Sequence, residues 1–126
     1  MIPSEALTLW FALDEVNEEN GCVRYVTGSH KKGLRPHVLS NVLGFSQGIA
    51  DWSAQDEAQE VKGLVHPGDL LAHHCDTIHR AGANLSHRSR RAVAIIYYAA
   101  HAVPDLQARA RYLESFQRQR ATLQQG

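Results

Sequence analysis

Two cysteines, Cys22 and Cys75, are too few for a disulfide framework, and both read as reduced thiols. Neither sign of charge is in excess: thirteen Lys and Arg face thirteen Asp and Glu, which leaves no global field to hold nucleic acid or an anionic membrane. No apolar run reaches spanning length and no basic-then-apolar leader opens the sequence, so the expectation is a soluble, unexported, cytoplasmic protein. Internal repeats and low-complexity tracts are missing as well, which argues against repeat architectures. What remains fits one small domain of 126 residues with 44% hydrophobic content, enough for a modest core. Eight histidines make the net charge sensitive to mild acid.

The chain is organised around residues 67–98. Pro67-Gly68-Asp69 is turn punctuation, Leu70 to His74 reads as a short strand, and Ala92-Val93-Ala94-Ile95-Ile96-Tyr97-Tyr98 is β-branched and aromatic, as strands prefer. Ala81 to Ser89, rich in Gly, Asn, Ser and charge, reads as the turn between two hairpin strands. The midpoint between residues 79 and 90 falls inside that turn, so the hairpin sets His79 opposite Arg90 on one face. A neutral imidazole suits a divalent metal, and a guanidinium holds a carboxylate in a bidentate fork. The pair suits a metal and an anion bound side by side.

Upstream, Ala6 to Leu13 is a strongly apolar run that reads as an interior strand. Asp14 to Gly21 is acidic and ends in the turn dipeptide Asn20-Gly21, and Cys22 to Val26 alternates like a strand, which together suggest a hairpin with a long loop. Gly28 to Gly33 closes that element. Residues 34–61 show no period and are expected to form a loop with a short helical turn, in which Arg35, His37 and Trp52 either contact substrate or pin the loop. From Pro104 and Asp105 a helix is expected, with Ala110, Leu113, Phe116 or Gln117, and Leu123 on one stripe and Arg109, Arg111, Arg118 and Arg120 on a solvated face.

The cluster His73, His74, Cys75, Asp76 and His79 invites a zinc reading. Strand alternation opposes it, sending His74 and Asp76 one way and His73, Cys75 and His79 the other.

The run from Gly68 to His74, followed by Ile78-His79-Arg80-Ala81-Gly82-Ala83-Asn84-Leu85-Ser86 and Arg90-Arg91-Ala92, resembles the C-terminal signature of the phytanoyl-CoA dioxygenase family. The resemblance extends from Leu7 to Tyr98, with a strand carrying Trp10, an acidic Asn-Gly loop, and Thr27 where a proline is usual before Gly-Ser-His. It implies a mainly β double-stranded β-helix, a cupin-like jelly roll, that binds Fe(II) and 2-oxoglutarate. Such enzymes couple decarboxylation of 2-oxoglutarate to succinate with hydroxylation of a C–H bond. By the same resemblance His79 is the distal iron ligand, Arg90 holds the far carboxylate of 2-oxoglutarate, and Trp10 lines the co-substrate pocket or packs beneath the barrel. Ala81 lacks the hydroxyl that some members offer at that place.

The family's His-x-Asp lies on a strand before the place of Trp10, so His74-Cys75-Asp76 is a decoy and only one of three iron ligands stands in these residues. The expectation is therefore an incomplete jelly roll over residues 1–103 and a helix over 104–126, from a dioxygenase truncated and inactive as this chain alone. Hydroxylase and halogenase chemistry both stay open. The alternative is a non-catalytic binding or scaffold module. The expected partners are a small-molecule substrate and a second copy in a homodimer, because a jelly roll without its earlier strands bares a β-edge; neither nucleic acid nor membrane is expected.

Overall fold

The computed structural model of the chain describes residues 1–40 and 47–124. Its strands are β1 (Ala6–Ala12), β2 (Val23–Val26), β3 (His37–Leu39), β4 (Gln47–Ile49), β5 (Glu60–Lys62), β6 (Leu70–His74), β7 (His79–Ala81) and β8 (Ala92–Tyr98). A 3-10 turn covers Ser29–Lys32, α1 covers Ala54–Ala58, and α2 covers Leu106–Gln124. Two antiparallel sheets, ordered β6-β1-β8 and β5-β2-β7, carry the fold, and β3 pairs with β4 in a ribbon. The chain is a mainly β jelly roll with a C-terminal helix.

As expected, the apolar run at Ala6 becomes an interior strand: β1 pairs with β6 on one side and β8 on the other. The two expected hairpins do not form. With both edges of β1 taken, β2 has no place beside it and joins the second sheet between β5 and β7. The segment after β6 likewise leaves for the second sheet, where His79 stands opposite Tyr25, while β8 returns to β1. His79 and Arg90 are therefore not a cross-strand pair.

Hydrogen bonds explain the hand-over. Ser29 Oγ donates to the Val26 carbonyl at 2.8 Å and accepts the Ile78 amide at 2.9 Å, and the Val26 amide donates to the Ile78 carbonyl at 2.9 Å. These bonds draw the chain to β2 just before His79.

The core is small. Ala12, Val16, Cys22 and Val65 are buried together, with Trp10 and Leu71 packed against them between the two sheets. Asn20 is fully buried and fully engaged: its Nδ2 donates to the Glu15 carbonyl at 2.7 Å and the Ser89 carbonyl at 3.5 Å, and its Oδ1 accepts the Asn17 amide at 2.8 Å. The neighbouring Gly21 has φ +83°, and a Cβ there would stand 2.6 Å from the Gly82 carbonyl oxygen, so the turn admits only glycine. β8 differs from this packed region, since Val93 to Tyr98 are exposed on both faces.

Two further expectations need correction. Residues 34–61 hold more than a loop: β3, β4 and the start of β5 lie there besides α1, which a Ser53–Asp56 capping box starts. The part of that expectation covering 41–46 lies outside the described residues. In α2, Asp105 caps the helix through Oδ1, which accepts the Ala108 amide at 2.8 Å. Its half-buried stripe is Ala108, Ser115, Phe116 and Gln119, whereas Ala110 and Leu113 face out. The Leu123 side chain lies outside the described set. The polar stripe follows from its neighbour, because Gln119 Oε1 accepts the Leu39 amide of β3 at 2.8 Å. The four helix arginines are exposed, as expected.

Candidate metal and co-substrate site

His79 opens β7, and its Nδ1 lies 2.8 Å from the Thr77 carbonyl oxygen. A carbonyl only accepts, so Nδ1 carries the proton, and in the neutral tautomer of such a ring the lone pair is on Nε2. Metal-binding histidines are commonly fixed this way, with the second nitrogen donating to a backbone carbonyl.

Two residues stand beside it: His73, which strand alternation in the sequence sends to the side of His79, and Tyr25, which the sequence does not single out. The His73 ring of β6 is centred 4.8 Å from that of His79, and the Tyr25 ring of β2 is centred 5.1 Å from His73 and 6.0 Å from His79. Both sheets thus contribute to one aromatic cluster. His73 Nδ1 and Tyr25 Oη are buried, and neither has a hydrogen-bond partner among the described residues. An unpaired buried polar atom costs about 1–3 kcal/mol, so these two adjacent ones weaken the fold where they stand. Burial, with a smaller contribution from His79, lowers the His73 pKa, and burial raises that of Tyr25, so both are neutral near pH 7. A cleft of about 420 Å³ opens here, with Tyr25, His30, Leu71, His73 and Thr77 in its lining. Alternation could have found the pair: Leu71 and His73 share a face of β6, as Val23 and Tyr25 do of β2.

Arg90 lies two residues before Ala92. It precedes β8, whose first residue, Ala92, pairs with the buried Ala12. It is half-buried, and its guanidinium has no ion pair or hydrogen bond among the described residues. Arg91 is fully committed instead: Nε and Nη2 hold the Asp14 carboxylate at 3.0 and 2.9 Å. That hydrogen bond, with the Arg91 amide, holds Asp14 down to about 2. Trp10 is packed against the core beside Leu71.

The loop candidates are pinned. Arg35 donates to Asp56 at 2.7 Å and to Asp51 at 3.0 Å, His37 Nδ1 meets the Arg35 carbonyl at 2.6 Å, and Arg80 lies over the Trp52 ring at 4.6 Å. Among the described residues, the only set of three His, Cys, Asp or Glu donors close enough to share a metal is His74, Cys75 and Asp76, which excludes His79. A facial triad needs three donors on one metal. The site at His79 therefore fits one share of an iron seat and does not close it.

Over residues 2–92 the sequence matches the phytanoyl-CoA dioxygenase (PhyH) family, and the chain belongs to that family. It is 33% identical over 95 residues to phytanoyl-CoA dioxygenase 1 of Oryza sativa subsp. japonica, covering 74% of this chain and 33% of the relative. To the probable alpha-ketoglutarate-dependent hypophosphite dioxygenase of Stutzerimonas stutzeri it is 36% identical over 103 residues, 79% of this chain and 36% of the other. Among solved structures, EvdO2 from Micromonospora carbonacea var. aurantiaca complexed with 2-oxoglutarate superposes with TM-score 0.65 at 28% identity, over 79% of this chain and 42% of that one. The epimerase SnoN, in complex with Fe3+, alpha ketoglutarate and nogalamycin RO, gives 0.61 at 30% identity, over 77% and 36%. The chain spans about a third of the length of the curated relatives it matches.

Proposed function

We propose that this chain supplies the distal share of an iron(II)- and 2-oxoglutarate-dependent oxygenase site, with His79 Nε2 as one metal ligand and Arg90 on the far carboxylate of 2-oxoglutarate. The observation that carries the reading is the His79 tautomer, whose Nδ1 proton is spent on the Thr77 carbonyl. Iron in this site would supply the oxidation of a C–H bond, with hydroxylation as the proposed outcome on a small-molecule substrate. This chain's own residues bind and orient. Arg90 offers a fork with no competing carboxylate among the described residues, Leu71, Tyr25 and His73 line the cleft, and Trp10, packed on the core beside Leu71, is proposed to back the co-substrate pocket. The family's His-x-Asp would supply the other two ligands, so the chain alone is proposed to be inactive.

The same proposal includes a homodimer. β8 is an edge strand whose outer side is unpaired among the described residues, and it carries exposed Val93, Ile95, Ile96, Tyr97 and Tyr98. Such an edge recruits another strand.

The test joins this chain to the N-terminal part of a family relative and measures bound iron and succinate formed from 2-oxoglutarate. One iron per active unit with succinate, both lost in His79→Ala, is the expected result. Succinate at an undiminished rate in His79→Ala would refute the assignment. Light scattering of the chain alone should show a dimer, and a strict monomer at high concentration would refute the association.

A further inference from the structure

β6 ends at His74, and a turn follows in which the Thr77 amide donates to the His74 carbonyl at 2.9 Å. The alternation that would turn Cys75 away from His74 and Asp76 stops at that point. The three side chains converge instead, with their ligand atoms all within 4.8 Å of one another. Cys75 Sγ is 3.8 Å from His74 Nδ1 and 3.7 Å from Asp76 Oδ1, and Nδ1 lies 4.0 Å from Asp76 Oδ2. Nitrogen, oxygen and sulfur donors around a tetrahedral zinc stand roughly 3.4–3.6 Å apart, from metal–ligand lengths of about 2.0–2.3 Å. Closing the cluster on an ion draws the three donors, now within 4.8 Å of one another, together by up to about an ångström.

His74 Nδ1 accepts the Asp76 amide at 3.1 Å, so this nitrogen is unprotonated, and an ion bound there takes over the lone pair that the amide now holds. Ser4, remote in sequence, donates to Asp76 Oδ1 at 2.8 Å and stands 3.5 Å from Cys75 Sγ, holding the carboxylate beside the thiol. The His30 ring, on the 3-10 turn, is centred 5.7 Å from that of His74, and both line the cleft described above.

We propose that His74 Nδ1, Cys75 Sγ and an Asp76 carboxylate oxygen form a three-donor site for a zinc-class divalent ion at the end of β6, with solvent completing its coordination. A thiolate among nitrogen and oxygen donors selects a borderline-soft ion over magnesium or calcium, and binding releases the Cys75 thiol proton. The site is separate from His79, which lies outside the cluster, and it does not rest on the oxygenase reading.

The test uses the untagged 126-residue chain with Co(II) as the probe. One equivalent should produce thiolate-to-cobalt absorption and the visible bands of tetrahedral cobalt, and zinc should displace both. Cys75 is exposed, so Cys75→Ser should keep the circular dichroism of the parent while losing the thiolate band and at least ten-fold in zinc affinity. His74→Asn should show the same affinity loss, and His79→Ala should leave band and affinity unchanged. Absence of a thiolate band, zinc affinity unchanged in Cys75→Ser as for adventitious binding by surface histidines, or loss of the band in His79→Ala would each overturn the proposal.

Discussion

Arg90 and Arg91 are neighbours in sequence and opposites in use. Arg91 is clamped to Asp14 by two side-chain hydrogen bonds and its own amide, whereas Arg90 has no polar partner among the described residues. The contrast extends beyond these two. Where only the fold is at stake, charge is paired: Arg80 holds Glu60 at 2.6 and 2.9 Å, and Arg35 holds Asp51 and Asp56. Around His79, by contrast, Tyr25 Oη and His73 Nδ1 are buried and unmet. A small core feels the stabilisation lost at unpaired buried atoms, so the polar atoms around His79 are costly to the fold in a way that the paired charges elsewhere are not.

The contrast can be tested from both sides. Asn20 stands for the satisfied side: Asn20→Ala strands the Glu15 and Ser89 carbonyls and the Asn17 amide in a buried turn. A loss of roughly 2–4 kcal/mol in urea unfolding is expected, the range for a broken buried network. Next come the two arginines, compared in the chain joined to a relative's N-terminal part. Arg90→Leu should weaken 2-oxoglutarate binding by about 1.5–3 kcal/mol while leaving the unfolding midpoint nearly unchanged. Arg91→Leu should do the reverse, and calorimetry paired with unfolding separates them. If both variants lose affinity alike, the division between them is wrong.

Tyr25→Phe removes a hydroxyl that the fold does not satisfy. The isolated chain should become more stable by about 1 kcal/mol, read from the urea midpoint. A loss of stability would mean that the hydroxyl has a partner in solution.

The smallest effects are those of pH. Hydrogen bonds from Arg91 and Arg35 hold Asp14 and Asp56 down to about 2 from 3.8, so their pairing stabilises the fold above the ordinary value and is lost as pH falls through about 2. His66 runs the other way. Its pKa is raised above 6.5, chiefly by the hydrogen bond to Glu15, so its contribution is full below 6.5 and lost as pH rises through the raised value. The pair is exposed, so His66→Gln should only slightly flatten the unfolding midpoint between mildly acid and mildly alkaline pH.

Much of this could be read in the residues. The apolar run at Ala6 and the β-branched run at Ala92 became strands, because alternation and propensity are local properties. Strand partners are not local. Period two tells which face a side chain takes and nothing of which sheet its strand joins, so both hairpins were misplaced where the jelly roll hands the chain from sheet to sheet. The hairpin that points to Arg90 does not exist, and what separates Arg90 from Arg91 in the structure is that Arg91 is bound to Asp14. His74, Cys75 and Asp76 were read as divergent because nothing in their types says that the strand stops at His74. Asp14 gave no sign of its partner, 77 residues away.

The most direct test of the central claim is nitrogen-15 NMR of the His79 ring in the joined protein, before and after one equivalent of Fe(II). The expected result is a ring protonated at Nδ1 without metal, whose signals shift or broaden beyond detection when iron is added, ahead of those of histidines outside the site. A ring protonated at Nε2, or signals unmoved while iron binds stoichiometrically, would contradict the assignment of His79 as a metal ligand.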